Sequence, residues 1–337
     1  MSDNNYRLLT LEETCRILCE KKDTLILCHS RPDCDTVGSG LALKKLLEGM
    51  GMKAHCLCES ELPHRLDFLP MGQESLLPKN IPEDFSAERV IAVDIASPSQ
   101  LGELEKDYIH RVDLMIDHHS KGTQYADGYI IPDLSATGEM IFRISRELLR
   151  MGVIESVSKE TDICIYAAIS SDTGCFKYSS VRPETHLAAA ELLRSGIDTA
   201  AINHRLFDSK PFIQLKTEQL GFEQFTVYEE GKIGIIEFPY ELKAANGILD
   251  QYMETLIDIA RCVEGVGVAI VIRQPKNEGV YRCSMRSSCE VDVSRVCECF
   301  GGGGHVKAAG CTVRADSISS VREAVLSAIR REMGKKS

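Results

Sequence analysis

The sequence predicts an α/β protein: a parallel-sheet amino-terminal domain followed by a smaller α+β domain. Three observations carry that expectation. Three short apolar runs each stop at a side chain able to bind a metal. Strand and helix signals alternate up to about residue 205, and beyond about residue 220 strands come closer together. Short apolar runs bounded by polar turns read as buried strands, and strands alternating with helices imply parallel βαβ units.

Taken in order, the first run is Leu25-Ile26-Leu27-Cys28-His29, which passes into Arg31-Pro32-Asp33-Cys34-Asp35. A helical stretch over 36–50 follows, stopped by Gly49 and Gly51, and then a strand over 53–58. Pro63, Pro70, Pro78 and Pro82 punctuate the next segment. Val90-Ile91-Ala92-Val93 ends at Asp94, and Leu114-Met115-Ile116 ends at Asp117-His118-His119. Helical patterns then cover about 138–151, 158–170 and 184–195. Phe207-Asp208-Ser209-Lys210-Pro211 reads as a break, with a helical reading open for the residues after it, which sets the domains at 1–205 and 221–337 with a linker over 206–220. The second domain has strand signals at 221–228, 232–238, 265–272 and 279–285, with helical stretches near 241–262, 292–299 and 317–333.

Composition narrows the function classes. A chain of 337 residues, 44% hydrophobic, can bury one large core or two ordinary ones, and two domains is the natural expectation. Met1–Asn5 has no basic start or apolar stretch, and no run approaches the ~20 apolar residues of a membrane span, so a cytoplasmic protein without membrane contact is expected. The 14 cysteines are scattered, without the two-residue gap of zinc knuckles, and read as free thiols in a reducing compartment. A net charge of −11 argues against a long nucleic-acid groove, which needs many Lys and Arg on phosphates. A short phosphate ester gripped by metals and a few local cations fits that balance.

The strand ends hold the chemistry. In open α/β sheets sites form beyond the strands' carboxyl ends. Pro32 turns the chain so that Asp33 and Asp35 can converge with His29 on a pair of cations. Asp35 alone could be a helix N-cap, but a cap does not need His29 and Asp33 in the same turn. Asp94 is a carboxylate at a buried strand end, costly unless paired or metal-bound. In Asp117-His118-His119 one imidazole can ligate, the other can meet substrate oxygen, and the acid can orient an imidazole. Carboxylate and imidazole without paired thiolates suit Mn²⁺, Mg²⁺ or Co²⁺, and two such ions can activate water between them. Near the other end, the Gly301–Gly304 run lets backbone N–H groups approach an anion. With His305, Lys307, Arg282 and Arg286 nearby it reads as a phosphate clamp, and Arg286, with its planar fork, is the stronger candidate.

These residues resemble the DHH phosphoesterase superfamily. Asp117-His118-His119 is similar to its naming triplet, His29-x-x-Pro32-Asp33-x-Asp35 to its first motif and Asp94 to its second. Ser171-Asp172-Thr173-Gly174, followed by Phe176-Lys177-Tyr178-Ser179, resembles the fourth, and Ser284–Ser287 and Gly301–Gly310 resemble the associated glycine-rich domain. The resemblance spans roughly residues 20 to 315, with the motifs in order. It implies one metal on His29, Asp33 and bridging Asp94, and a second on Asp35, Asp94, His118 and Asp172. It implies His119 facing the phosphate, with Asp94 and Asp117 beside it in the catalytic group, Asp117 orienting its neighbours. Substrate would meet Arg286, Ser287, Gly302, Gly303, Gly304 and His305, and Tyr178 could approach a bound nucleotide. Cys34 stands where many relatives carry Gly or Ala; it is small enough to be a harmless replacement, with redox sensitivity from a thiol beside the metals as the alternative. Within the superfamily the chain resembles the bacterial nanoRNase and pAp phosphatase group. The expected enzyme is a homodimer with two ions, Mn²⁺ first, that hydrolyses short oligoribonucleotides or pApA to mononucleotides and removes the 3′-phosphate of pAp. Cyclic di-AMP hydrolysis is the alternative, and a non-catalytic nucleotide-binding module the competing class.

Overall fold

A computed structural model describes residues 6–70, 76–132 and 134–334; Met1–Asn5, read above for a leader, lies outside them. The chain divides into two compact units, Met1–Ser209 and Lys210–Ser337.

In the first unit the apolar runs are strands. They are β1 (Thr24–Leu27), β2 (Ala54–Leu57), β3 (Arg89–Val93), β4 (Leu114–Asp117) and β5 (Asp127–Ile130). They form one sheet in the order β2-β1-β3-β4-β5, parallel throughout. Alternate residues face two cores. Ile26, Ile91, Val93 and Ile116 pack under the helices Cys34–Gly49, Thr137–Arg150 and Lys159–Asp172, while Leu25, Leu27, Val90 and Met115 face Leu101 and Leu104. Burial on both faces explains why the strand sequences read as unbroken apolar runs. From β1 the chain runs outward to β2 and returns to β3 on the other side of β1. The carboxyl ends of β1 and β3 thus flank a topological switch point, where the adjacent crossovers diverge and leave a crevice.

The second unit has a six-stranded sheet with strands β6 (Phe225–Tyr228), β7 (Ile233–Phe238), β8 (Val268–Arg273), β9 (Val280–Ser287), β10 (Gly303–His305) and β11 (Ala308–Arg314). Its order is β10-β11-β9-β8-β7-β6, antiparallel except for β7 with β8. The helix Ile318–Gly334 covers one face through Val321, Val325 and Ile329. Leu256, Ile257 and Ala260 cover the other.

Several expected boundaries differ. Within the expected linker, 206–220, Phe212–Glu223 begins a helix of the second unit, where Leu220 packs against its core. That helix takes the start of the strand expected over 221–228, leaving only Phe225–Tyr228 extended. The helical stretch expected over 241–262 breaks into Tyr240–Ala245, Asp250–Met253 and Leu256–Arg261. Gly247 carries φ +63°, a conformation that ends the first of these. All fourteen cysteines are unpaired.

Candidate active site

The turn after β1 divides one carboxylate between two tasks. Asp33 is the N-cap of the Cys34–Gly49 helix: its Oδ1 accepts from the backbone N–H of Asp35 (3.0 Å) and Thr36 (3.1 Å). Its Oδ2 lies 3.5 Å from His29 Nε2. The cap is therefore Asp33 rather than Asp35, which sits in the first turn and points inward, 2% exposed. Thr36 ties the turn to β3, donating from Oγ1 to the Val93 carbonyl at 2.9 Å.

Asp94 ends β3 in the left-handed region, φ +61°, a conformation that Asp tolerates better than most residues. Its backbone turn separates the two carboxylate oxygens. Oδ2 is 3.6 Å from His29 Nε2, and Oδ1 is 3.7 Å from both His118 Nε2 and His119 Nδ1. At the end of β4, His118 Nδ1 donates to the Leu134 carbonyl (2.9 Å), which aims Nε2 at Asp35, Asp94 and Asp172, each at 3.7 Å. His119 Nδ1 donates to Asp117 Oδ1 at 2.7 Å.

The residues expected to bind metal thus gather as two triads, His29-Asp33-Asp94 and Asp35-His118-Asp172, with Asp94 facing both. Two ligands about 2.1 Å from a common ion lie about 3.0 Å apart at 90° and about 3.6 Å apart at 120°, so these separations sit at the upper end of what one ion spans. Carboxylate and imidazole donors match a hard or borderline divalent cation. His119 also forms a triad with Asp94 and His118, and its hydrogen bond with Asp117 occupies Nδ1, leaving Nε2 for other contacts.

The electrostatics are those of a site short of positive charge. Burial, and then the charges of Asp94, Asp172 and Asp33, push the Asp35 carboxyl well above its ordinary range; the Thr137 backbone N–H works against them. Burial and the Asp33 charge lift Asp94 to about 6 despite three histidines. Asp172 is raised by burial and by Asp33, against His118 and His119. For His29, burial favours the neutral ring, but the Asp33 contact and the charges of Asp33 and Asp94 outweigh it and raise the pKa. The Asp117 hydrogen bond raises His119 to about 9.

Sequence reasoning missed the groups that orient the expected ligands Asp35 and Asp94. Thr137 N and Gly138 N, at the start of the Thr137–Arg150 helix, donate to the two oxygens of Asp35 at 2.7 and 2.8 Å, and Thr137 Oγ1 donates to Asp94 Oδ1 at 2.9 Å. A backbone N–H or the Leu134 carbonyl has no residue-type signal, so only the fold reveals them. Cys34 is buried in the helical core, and burial with Asp33 and Asp35 pushes its thiol well above the ordinary range, leaving it a poor nucleophile. Tyr178 packs its ring against Gly174, and among the other histidines His55 meets Phe85 edge-on and His186 stacks on Phe176.

In the second unit the expected clamp is a three-strand surface. His305 pairs with Ala308 across β10 and β11, and Ala308 pairs with Arg286 across β11 and β9. Cross-strand partners share a face, so His305 and Arg286 flank the small Ala308 side chain. Gly302 and Gly304 permit this: a Cβ on either would lie 2.3 Å from the Gly310 carbonyl oxygen or 2.6 Å from that of Ala308. Gly303, between them, is exposed. Ser287 is fixed through its N–H to the Lys307 carbonyl (3.0 Å), and its hydroxyl donates to the Cys289 carbonyl.

Residues 23–169 match the DHH family, N-terminal domain, and residues 236–333 match the DHHA1 domain. The chain is 28% identical to a Thermus thermophilus protein named bifunctional oligoribonuclease and PAP phosphatase NrnA, over 91% of this chain and 89% of that one. It is 28% identical to a Streptococcus mutans protein named probable bifunctional oligoribonuclease and PAP phosphatase NrnA, over 86% and 89%. An exopolyphosphatase-related protein from Bacteroides fragilis has the same fold, with TM-score 0.86 at 23% identity over 95% of each chain.

Proposed function

This chain belongs to the DHH family, and from that premise we propose that it is a metal-dependent phosphoesterase hydrolysing short oligoribonucleotides, pApA among them, to mononucleotides. It also removes the 3′-phosphate of pAp, the second activity in the name of its Thermus relative. The observation that carries the reading is the pair of triads meeting at Asp94, in a chain similar to that relative along nearly its whole length.

His29, Asp33 and Asp94 would hold one divalent cation and Asp35, Asp94, His118 and Asp172 the other; Mn²⁺ is the first choice, Mg²⁺ and Co²⁺ the alternatives. Bound there, such ions supply Lewis acidity and a nucleophile derived from water. The chain's own residues do the rest. His119, kept protonated near neutral pH by Asp117, donates from Nε2 to a phosphate oxygen as charge builds in the transition state. Arg286, Ser287, His305 and the Gly302–Gly304 backbone hold the substrate's far phosphate or base. A cytoplasmic homodimer belongs to the same reading, and light scattering tests the dimer.

A turnover panel on the Mn²⁺-supplemented protein tests the activity with pApA, RNAs of two to five nucleotides, pAp, cyclic di-AMP and pyrophosphate, and with Asp94→Ala as control. Mononucleotide release from pApA and short RNA, lost in Asp94→Ala, is expected. Preference for cyclic di-AMP would replace the reading with a second-messenger phosphodiesterase. Binding without turnover of any substrate would leave a nucleotide-binding module.

A further inference from the structure

The triads open into a pocket of about 450 Å³, larger than the ions and one phosphate would fill, and part of its lining has no role so far. Arg31, Ser99 and Gln100 complete the wall. We propose that these three form a phosphate-binding wall within the catalytic domain, with Arg31 gripping the scissile phosphate; this rests on the phosphoesterase reading above.

Charge is the first reason. Asp33, Asp94 and Asp172 line the pocket with three histidines, and Arg31 is the sole Lys or Arg among the described residues that do. Although only two residues from Asp33, Arg31 does not pair with it, because Asp33 spends its oxygens on His29 and the helix N–H groups. No hydrogen bond or ion pair holds the Arg31 guanidinium among the described residues, and the residue is exposed. An uncommitted guanidinium on the wall of an anionic pocket fits a ligand with two acceptor oxygens, the geometry of phosphate.

The second reason is that the wall is built rather than incidental. The segment Pro98–Leu104 runs directly against the turn that carries Arg31. Ser30 N donates to the Gln100 carbonyl at 2.7 Å. Gly102 has φ +62°, and a Cβ there would fall 1.7 Å from Glu59 Oε2 and 2.9 Å from Ser30 Cβ, so only glycine permits this approach. The Gln100 side chain is oriented as well. Its Oε1 accepts from Ser97 N at 3.0 Å in a capping box, which leaves the Nε2 donor as the free end. Ser99 Oγ, 3.2 Å from Ser97 Oγ, adds a hydroxyl. Three donor side chains from two interlocked loops therefore share one pocket with the metal-binding triads.

Arg31→Ala and Arg31→Lys test this in the full Mn²⁺-loaded protein, with pApA turnover followed across a salt series and AMP binding followed by calorimetry. Arg31→Ala should lower kcat/KM about 10- to 100-fold, the worth of a charged hydrogen-bonded contact, and weaken AMP binding by a comparable factor. The slope of log kcat/KM against log salt should become shallower by about 0.7, one phosphate contact fewer on a single strand. Arg31→Lys should restore the salt slope but only part of the rate, because it keeps the charge and loses the fork. An unchanged melting temperature separates these effects from misfolding. Parent values of kcat/KM and AMP affinity in Arg31→Ala would overturn the proposal. If the parent turns over no phosphoester, the activity reading fails instead, and the AMP titration alone still decides whether Arg31 holds phosphate.

Discussion

His119 keeps its proton through Asp117, which is 3% exposed and presents Oδ1 to Nδ1 at 2.7 Å. In the metal-free protein that contact raises the imidazole to about 9 and leaves its Nε2–H, the proposed donor to phosphate, uncommitted. Asp117→Asn removes the charge while keeping the shape. The His119 pKa then falls toward the ordinary ~6.5, and the alkaline limb of the kcat profile moves to lower pH. Outer partners of this kind are worth about 10- to 100-fold, so kcat at pH 7.5 should drop by that factor. An unmoved alkaline limb would show that Asp117 does not set the His119 proton. Thr137 acts on Asp94, donating from its hydroxyl to the same Oδ1 that faces His118 and His119. Thr137→Val should weaken Mn²⁺ binding about 10-fold or more by calorimetry, whereas Thr137→Ser, which keeps the hydroxyl, should stay near the parent. Equal losses in both variants would mean that packing, not the hydrogen bond, matters at this position.

At the scale of elements, the site depends on how closely the Cys34–Gly49 helix approaches the Lys159–Asp172 helix. A Cβ on Gly38 would lie 2.7 Å from the Cys164 carbonyl oxygen, a contact with rigid backbone. Alanine favours an isolated helix over glycine by about 1 kcal/mol. Here the overlap should win, and Gly38→Ala should cost about 1–3 kcal/mol in denaturant unfolding and weaken Mn²⁺ binding, because the shifted helix carries Asp35. A stabilised Gly38→Ala would show that the helices part without consequence. The same elements explain what could be read in advance. β1, β3 and β4 are buried on both faces, so their sequences are unbroken apolar runs and their ends mark His29, Asp94 and Asp117 directly. By contrast β5, Asp-Gly-Tyr-Ile, is a short edge strand with half-buried ends and too little apolar pattern to announce itself. Gly303–His305 reads as loop because its strand character comes from pairing with β11 and not from its own residues. Phe212–Glu223 could be read as a helix after the break but not assigned to a unit: it follows Pro211 and leaves Phe212, Leu215 and Phe222 exposed, which blurs its helical period. Pairing partners and donors that belong to the backbone are tertiary facts, and the ligands' outer contacts are of that kind.

For the whole molecule, every expected metal ligand lies in the unit Met1–Ser209, so metal, proton and folding equilibria are linked there. The sign follows from the carboxylates. Asp94 rises to about 6, and Asp35 and Asp172 also rise, so above the ordinary ~3.9 the folded metal-free protein binds more protons than the unfolded chain. Stability then falls as pH climbs through those folded values. His119, raised to about 9, gives stability that is complete below ~6.5 and lost as pH passes 9, which has the same direction. Asp33 is lowered, by the His29 contact against the effect of burial, and works oppositely: its stabilising effect is lost as pH falls. One half-exposed carboxylate does not offset the others. Without metal, the melting temperature should therefore decline by about 5–10 °C between pH 5 and pH 9. Mn²⁺ reverses the sign of that dependence, because it requires the deprotonated carboxylates and neutral imidazoles that high pH supplies. Scanning calorimetry with chelator and with Mn²⁺ across this range tests the reversal, and hydrogen exchange on the intact chain locates it. Protection gained on adding Mn²⁺ should fall in peptides of Met1–Ser209 and leave those of Lys210–Ser337 unchanged. Protection spread evenly over both units, or a metal effect that shrinks as pH rises, would rule out ions held by these carboxylates.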